Sequence, residues 1–279
     1  MKNSKLNPTL FPLSVIIPTL GGSSLLKTIE LINKGTLIPD EILVCIPQEE
    51  ASLISNYNVS NVSSVVTAFR GQVRQRAEGF KEAKHNYVMQ LDDDVELEVD
   101  SIKTMVGALD QLGKGNVVGP SFYHLVTSVA LHKFDFGVLG FLKSINASLF
   151  SSAAWGYKRM GKVTSLGIAF GVDPSLAKDN IQQVEWLPGG CVLSFKNDVI
   201  DENFFPLKGK AFSEDVVHSM LRKNKKIEHY VIIDAKAKMP ADDEPFSINS
   251  FVTELKARLY VVNALDGNKL RFFIWCLSQ

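Results

Sequence analysis

Five short apolar runs set between helical patterns constrain this chain more than any other feature. The runs cover residues 13–17, 41–46, 62–67, 87–91 and 116–119, and helical spacing fills 23–33, 71–84 and 99–112. Within 71–84 the apolar positions Val73, Ala77, Phe80 and Ala83 share one helical face, so Arg74, Arg76 and Lys81 are expected to project elsewhere. Apolar strands alternating with helices predict an α/β fold with a mostly parallel central sheet and helices on both faces. A length of 279 residues, 46% of them hydrophobic, suits one large α/β domain or two small ones.

Charge and cysteine content narrow the classes further. The formal net charge is zero, so no general basic field attracts nucleic acid. Cys45, Cys191 and Cys276 lie far apart and form neither a CxxC motif nor a disulfide framework, and a reducing cytoplasmic setting is the simplest one. The apolar stretch from Leu10 to Leu20 contains Pro12 and Pro18, which suit a first strand better than a helical signal segment. No segment is long enough to span a membrane without charge or proline. The aromatic run at 270–277 reads as a core-packing helix or strand, with peripheral membrane contact as the alternative.

The sharpest chemical signal is Leu91-Asp92-Asp93-Asp94-Val95, directly after the apolar strand Tyr87-Val88-Met89-Gln90-Leu91. Carboxylates crowded at a strand end repel one another and lose hydration, and a hard divalent cation removes that cost. Extended geometry would point Asp92 and Asp94 the same way. Ligands of open α/β sheets collect at these carboxyl ends. Taken alone, the triplet reads equally as a solvated acidic turn that caps the next helix.

Other segments carry weaker signals. Gly21-Gly22-Ser23-Ser24 supplies a tight turn and a helix N-cap after the first strand. Residues 121–185 are aromatic and irregular, with Phe134, Phe136, Phe141 and Trp155 among them; core packing is the default reading, and stacking on a sugar or meeting lipid is the functional one. The paired Gly189 and Gly190 sit between apolar runs and suggest close backbone approach to a ligand or another strand. Ser213 is placed to cap a helix whose first turn holds Glu214 and Asp215, where the helix dipole favours acids. A strand at 227–233 and a helix at 246–265 follow, the latter with Phe251, Leu255, Leu259 and Val262 on one side.

Together these elements resemble an inverting glycosyltransferase of the GT-A (nucleotide-diphospho-sugar transferase) fold, family 2 type. The resemblance rests on Ser14-Val15-Ile16-Ile17-Pro18-Thr19, on the helix from Gly71 to Ala83, on Leu91-Asp92-Asp93-Asp94, on Trp186-Leu187-Pro188-Gly189-Gly190, and on Glu214-Asp215 with Arg222. Spacing and order agree over roughly 12–240. The resemblance implies a single domain over 1–240, with a donor half at 12–120 and an acceptor half at 121–240, and a C-terminal helical extension over 241–279. It implies that Pro18, Thr19, Leu20, Arg76, Asp92 and Asp93 line the donor site. Asp94 with Asp92 would hold Mn2+ or Mg2+ on the donor diphosphate. Trp186, Gly189 and Gly190 would face a saccharide or lipid-linked saccharide acceptor. Asp215 would be the general base, with Glu214 beside it. Surface polysaccharide or glycoconjugate synthesis at the cytoplasmic face of a membrane is the setting the family suggests.

The chain also departs from that pattern. Val44-Cys45-Ile46-Pro47-Gln48 ends the second strand without the usual base-binding aspartate, leaving Gln48 or Glu49 as substitutes. The stretch Ala235-Lys236-Ala237-Lys238-Met239-Pro240 lacks the usual metal-binding histidine, so Asp242, Asp243 or solvent would complete the shell. Two alternatives follow. One is a catalytically silent homologue that binds nucleotide-sugar or acts as a scaffold. The other is a nucleotidyltransferase, which the short, non-basic glycine turn disfavours.

Overall fold

The computed structural model describes residues 9–55, 57–151, 153, 156–206, 211–240 and 248–277. Its strands are β1 (Thr9–Pro18), β2 (Leu37–Pro47), β3 (Val62–Thr67), β4 (Tyr87–Leu91), β5 (Glu96–Leu97), β6 (Asn116–His124), β7 (Ile181–Val184), β8 (Cys191–Phe195) and β9 (Glu228–Met239). The helices are α1 (Leu25–Asn33), α2 (Gln72–Glu82), α3 (Ser101–Leu112), α4 (Val138–Ser151), α5 (Glu214–Asn224), α6 (Ile248–Ala264) and α7 (Lys269–Leu277). All nine strands join one sheet in the order β3-β2-β1-β4-β8-β6-β9, with β5 and β7 both on the outer edge of β9. β3, β2, β1, β4, β6 and β9 run parallel, and β8, β5 and β7 run against them.

The five expected strands all form, and three of them extend beyond their apolar runs. They are not contiguous, because the antiparallel β8 separates β4 from β6. A fully buried run such as Cys191–Phe195 has no alternation to report its direction. The irregular reading of 121–185 missed α4 and β7. Residues 138–151 include Gly140, β-branched residues, serines and an asparagine, so helix propensity there is weak. Trp155, Asp242 and Asp243 lie outside the described residues.

Strand alternation divides the core. Leu13, Val15 and Ile17 of β1, with Ile42, Val44 and Ile46 of β2, pack with α1 and α3 in the main cluster. Ile16, Leu43, Cys45 and Val88 face the other way and pack with Phe80 and Ala83 beside α2. The same parity puts Met89 and Leu91 on the first face and Val88 on the second. α2 approaches the sheet closely because Gly79 has no side chain. A Cβ there would lie 2.5 Å from Cys45 Sγ and 2.6 Å from Ile16 Cγ2.

α6 buries Ala257 and Val261 against one cluster and Val262 against another, so it is apolar on two sides. Of the stripe expected from the sequence, Leu255, Leu259 and Val262 pack in one cluster, while Phe251 at its start is exposed.

Gly79→Ala tests the close packing. Relief of glycine's poor helix propensity favours the variant by about 1 kcal/mol, while overpacking opposes it by ~1–3 kcal/mol. Both clashing atoms belong to buried sheet side chains with little room to move, so we expect net destabilisation in urea unfolding. A variant as stable as the parent would show that the helix can shift freely.

Candidate active site

The acidic run emerges at the carboxyl end of β4 and then turns. Asp92 donates its amide to the Gly190 carbonyl at 2.9 Å, and the Val95 amide closes back on the Asp92 carbonyl at 3.3 Å. Extended geometry therefore ends at Asp92, and the alternation that would align Asp92 with Asp94 does not continue through Asp93 and Asp94. Asp93 turns to the first strand and α1: its Oδ2 accepts from Thr19 Oγ1, and its carbonyl accepts from Thr28 Oγ1 at 2.9 Å. Asp94 is half-buried in the same turn. Pro18 ends β1, Thr19 is buried beside it, and Leu20 beyond them is exposed. The Gly21 amide donates to Thr19 Oγ1 at 2.9 Å, and φ of +82° at Gly21 lets the chain turn.

Asp92 meets α2. Its Oδ1 accepts from Gln72 Nε2 at 2.7 Å and from Arg76 Nη2 at 3.1 Å. Arg76 Nη1 donates at 3.0 Å to Glu214 Oε1, a residue 138 positions away. Arg76 is only 2% exposed, which corrects the expectation that it projects away from the core. Its guanidinium is enclosed between two carboxylates rather than presented as a free cation at the cleft. Helical spacing places Gln72, Gln75, Arg76 and Gly79 on a second inward stripe beside the apolar one.

Two glutamines add to this framework without having been singled out in the sequence. Gln75 Nε2 donates to the carbonyls of Thr19 at 2.8 Å and Cys45 at 2.7 Å, tying the ends of β1 and β2 together. Gln90 Nε2 donates at 2.6 Å to the Gly189 carbonyl, and its Oε1 accepts a long bond of 3.4 Å from Arg222. The available signal was a lone polar residue inside an otherwise apolar strand, which must find partners when buried.

The glycine pair brings α5 to β4. A Cβ on Gly189 would lie 2.7 Å from Glu214 Oε1, while one on Gly190 would meet Asp92 Oδ2 at 3.6 Å. Trp186 is placed differently from the expectation that it faces an acceptor. It is 6% exposed, donates Nε1 to the Phe170 carbonyl at 3.0 Å, and packs with Val73, Val216 and Val217. Ser213 occupies the expected N-cap position but has φ of +57° and makes no side-chain capping bond.

Burial and like charge set the electrostatics. Burial is the main cause that pushes the Asp92 carboxyl up to about 6; Arg76 opposes the rise, and Glu214 and Asp94 add to it. Asp215 is pushed up to about 7, first by burial and then by neighbouring Glu214. Its Oδ1 accepts the Val216 amide at 2.8 Å. Further along α5, Arg222 is buried and pushed down to about 9 by burial and by Arg76. Burial, with Arg222 beside them, holds His218 and His229 neutral well below the usual imidazole range.

The remaining sequence candidates lie at the rim or further out. Gln48 and Glu49 are exposed after β2, and Arg70 pairs with Glu49 at 3.3 Å and with Glu50. The stretch from Ala235 to Met239 forms the end of β9, and Met239 lies opposite His124 in the β6–β9 register.

The sheet order and this cluster at its carboxyl edge define the GT-A glycosyltransferase fold. The fold resembles that of GalNAc-T7, crystallised with UDP, GalNAc and Mn2+, with a TM-score of 0.58 and 15% identity. That match covers 90% of this chain and 48% of GalNAc-T7, so the chain spans about half the length of that relative. It also resembles S. aureus TarS 1-349, crystallised with UDP-GlcNAc, with a TM-score of 0.53, 15% identity and coverage of 94% and 69% respectively. No curated protein matches the sequence. The model of glycosyl transferase family 2 matches residues 14–161, just over half of the chain, and the protein belongs to that family.

Arg76→Met tests the buried bridge. It leaves Asp92 and Glu214 without their shared cation, and breaking a buried ion pair from one side costs about 3–5 kcal/mol. Adding Glu214→Gln should recover part of the loss. Equal stability of Arg76→Met and the parent in denaturant titration would remove the bridge from its structural role.

Proposed function

We propose that this protein is a glycosyltransferase that moves a sugar from a nucleoside-diphosphate donor to a hydroxyl acceptor with inversion. The observation that carries the reading is the convergence of two acidic segments, 92–94 and 214–215, on one buried arginine at the carboxyl edge of the sheet. Family membership supports glycosyl transfer, and the UDP and UDP-GlcNAc bound to the fold relatives support a nucleotide-sugar donor. The donor side in this reading is Pro18, Thr19, Leu20 and the 92–94 turn, and the acceptor approaches past Gly189 and Gly190. Arg76 acts on the donor side by holding Asp92. A saccharide or lipid-linked saccharide acceptor in polysaccharide or glycoconjugate synthesis suits this chemistry.

In the proposed reaction Asp215 accepts the proton of the acceptor hydroxyl as its oxygen bonds to the anomeric carbon. The bond from that carbon to the diphosphate breaks in the same displacement, and the departing diphosphate takes the electron pair. A carboxylate raised to about 7 is well matched to this proton transfer near neutral pH. Glu214, held by Arg76, keeps the start of α5 against the Gly-Gly turn.

The residues fit a divalent cation that arrives with the diphosphate. Among the described residues no three His, Cys, Asp or Glu side chains form a ready metal cage. Asp92 Oδ1 is engaged by Arg76 and Gln72, so in this reading Asp94 and the second oxygen of Asp92 would supply the hard oxygen donors. Sites that use one or two carboxylates, substrate phosphates and water suit magnesium or manganese. When bound, the cation supplies charge neutralisation for the leaving diphosphate.

Four outcomes test this reading. Asp215→Asn should reduce turnover by about two to four decades while nucleotide affinity stays near the parent value; near-normal turnover would move the base elsewhere, Glu214 first. The parent rate should climb as pH rises through about 7 and Asp215 ionises. Stability should run the opposite way. The folded state binds the Asp215 proton more tightly than the unfolded chain, so this contribution falls as pH rises from about 4 to 7, and Asp215→Asn should unfold at higher urea than the parent at pH 8. Calorimetric titration should show manganese and a nucleoside diphosphate each raising the other's affinity by one shared factor. Asp94→Asn should abolish that coupling, and equal nucleotide affinity with and without metal in the parent would exclude a metal role for the acidic turn.

A further inference from the structure

We infer that the face built by α4, α7 and the loop before α4 docks on an anionic lipid surface. This inference stands independently of the sugar-transfer reading. The loop and both helices expose large apolar side chains: Phe136 is 71% exposed, Val138 79%, Phe141 54%, Leu270 70% and Phe273 51%. Val138, Phe141 and Leu149 fall on one face of α4, and Leu270, Phe273 and Ile274 on one face of α7, by helical spacing. α4 and α7 pack on one another, and Arg271 Nη2 donates to the Leu149 carbonyl at 2.7 Å. The opposite side of α7 is already committed, since Phe272 is buried in the core with Leu166 and Val262. Val138, Leu149, Leu270, Phe273 and Ile274 stay exposed after this packing, and exposed apolar side chains grouped on neighbouring helices mark an interaction site.

An opening beside these stripes has the same character. A cavity of about 310 Å³ is lined by Phe134, Asp135, Phe136, Phe141, Ser144, Gly156 and Lys158, so one acid and one base share its mostly aromatic wall. Phe134 and Asp135 also border a second cavity of about 260 Å³ that holds Lys133 and Arg159. Aromatic walls with a cationic margin suit acyl chains beneath anionic headgroups.

Charge identifies the occupant. Residues 121–165 hold five lysines and arginines against one acid, and residues 248–277 hold four against two. The chain as a whole balances 30 against 30, so everything outside these two segments carries 21 basic residues against 27 acidic ones. Part of this charge is paired within the fold, since Lys162 meets Glu185 at 3.1 Å and Arg258 meets Glu254 at 2.7 Å; the exposed Lys133 and Lys158 lie just before and just after the α4 segment. A second copy of the same face would oppose like charge to like charge, whereas an anionic bilayer is complementary. No described helix is long and apolar enough to cross a membrane, so contact by this face is interfacial.

The test is co-sedimentation of the full chain with vesicles of phosphatidylcholine alone and with vesicles containing equal parts phosphatidylglycerol. We expect binding to the anionic vesicles only, weakened by salt. Phe141→Ser with Phe273→Ser should lower partitioning by about tenfold or more. Lys133→Gln with Lys158→Gln, both at exposed positions, should weaken it by about fivefold per residue and guards against misfolding of the first variant. Nucleotide binding measured in parallel should be unchanged in both variants. Its loss in the parent would overturn the sugar-transfer reading while leaving vesicle binding untouched. Absence of binding, or equal binding to neutral and anionic vesicles, would overturn the docking inference. So would a dimer in sedimentation velocity that the phenylalanine changes dissociate without any vesicle binding.

Discussion

One guanidinium, that of Arg76, joins parts of the chain that are far apart in sequence. It pairs with Asp92 at the end of β4 and with Glu214 at the start of α5, and it is almost completely withdrawn from water. Such a cation is tolerable only where carboxylates replace its hydration, so both acidic segments must meet it if α2 is to sit where it does. Gly79 allows α2 to come down on the sheet, and Gly189 leaves room for the Glu214 carboxylate. The geometry of the candidate site thus follows from one desolvated charge and two missing side chains.

The same arrangement leaves negative charge in excess. One arginine faces Asp92 and Glu214 directly, with Asp94 and Asp215 close enough to shift the acids' proton affinities. Ionising every one of these acids in a site of low polarity is costly, and two of them respond by holding protons more tightly than free aspartate does. That cost is the physical reason a cation-bearing diphosphate would be welcome there. It also prepares Asp215 for the base role proposed for it, since a carboxylate that titrates near neutrality accepts a proton more readily than an ordinary one.

Charge is distributed unevenly over the rest of the chain. The acidic excess belongs to the part that carries the sheet and the candidate site, and the basic excess belongs to α4, α6, α7 and the loops around them.

Much of this architecture was legible in the sequence because it depends on local periodicity. The runs at 62–67 and 87–91 match β3 and β4, and the acidic triplet, the glycine pair and the Glu-Asp helix start were all evident as motifs. Direction and partnership were not legible. The buried run of β8 carries no alternation, so only pairing with β4 and β6 shows that it is antiparallel. Arg76 looked like a surface residue beside an apolar stripe, because a helix can bury a second, polar stripe only when distant partners neutralise it. Trp186 belonged to a site motif, yet its area is large enough that packing claims it for the core. The run at 270–277 shows the division most clearly. Its composition determined that it would be helical or extended and would seek apolar contact. Only the tertiary structure decided that Phe272 is buried while Leu270 and Phe273 face outward, because the core had room for one side of that helix.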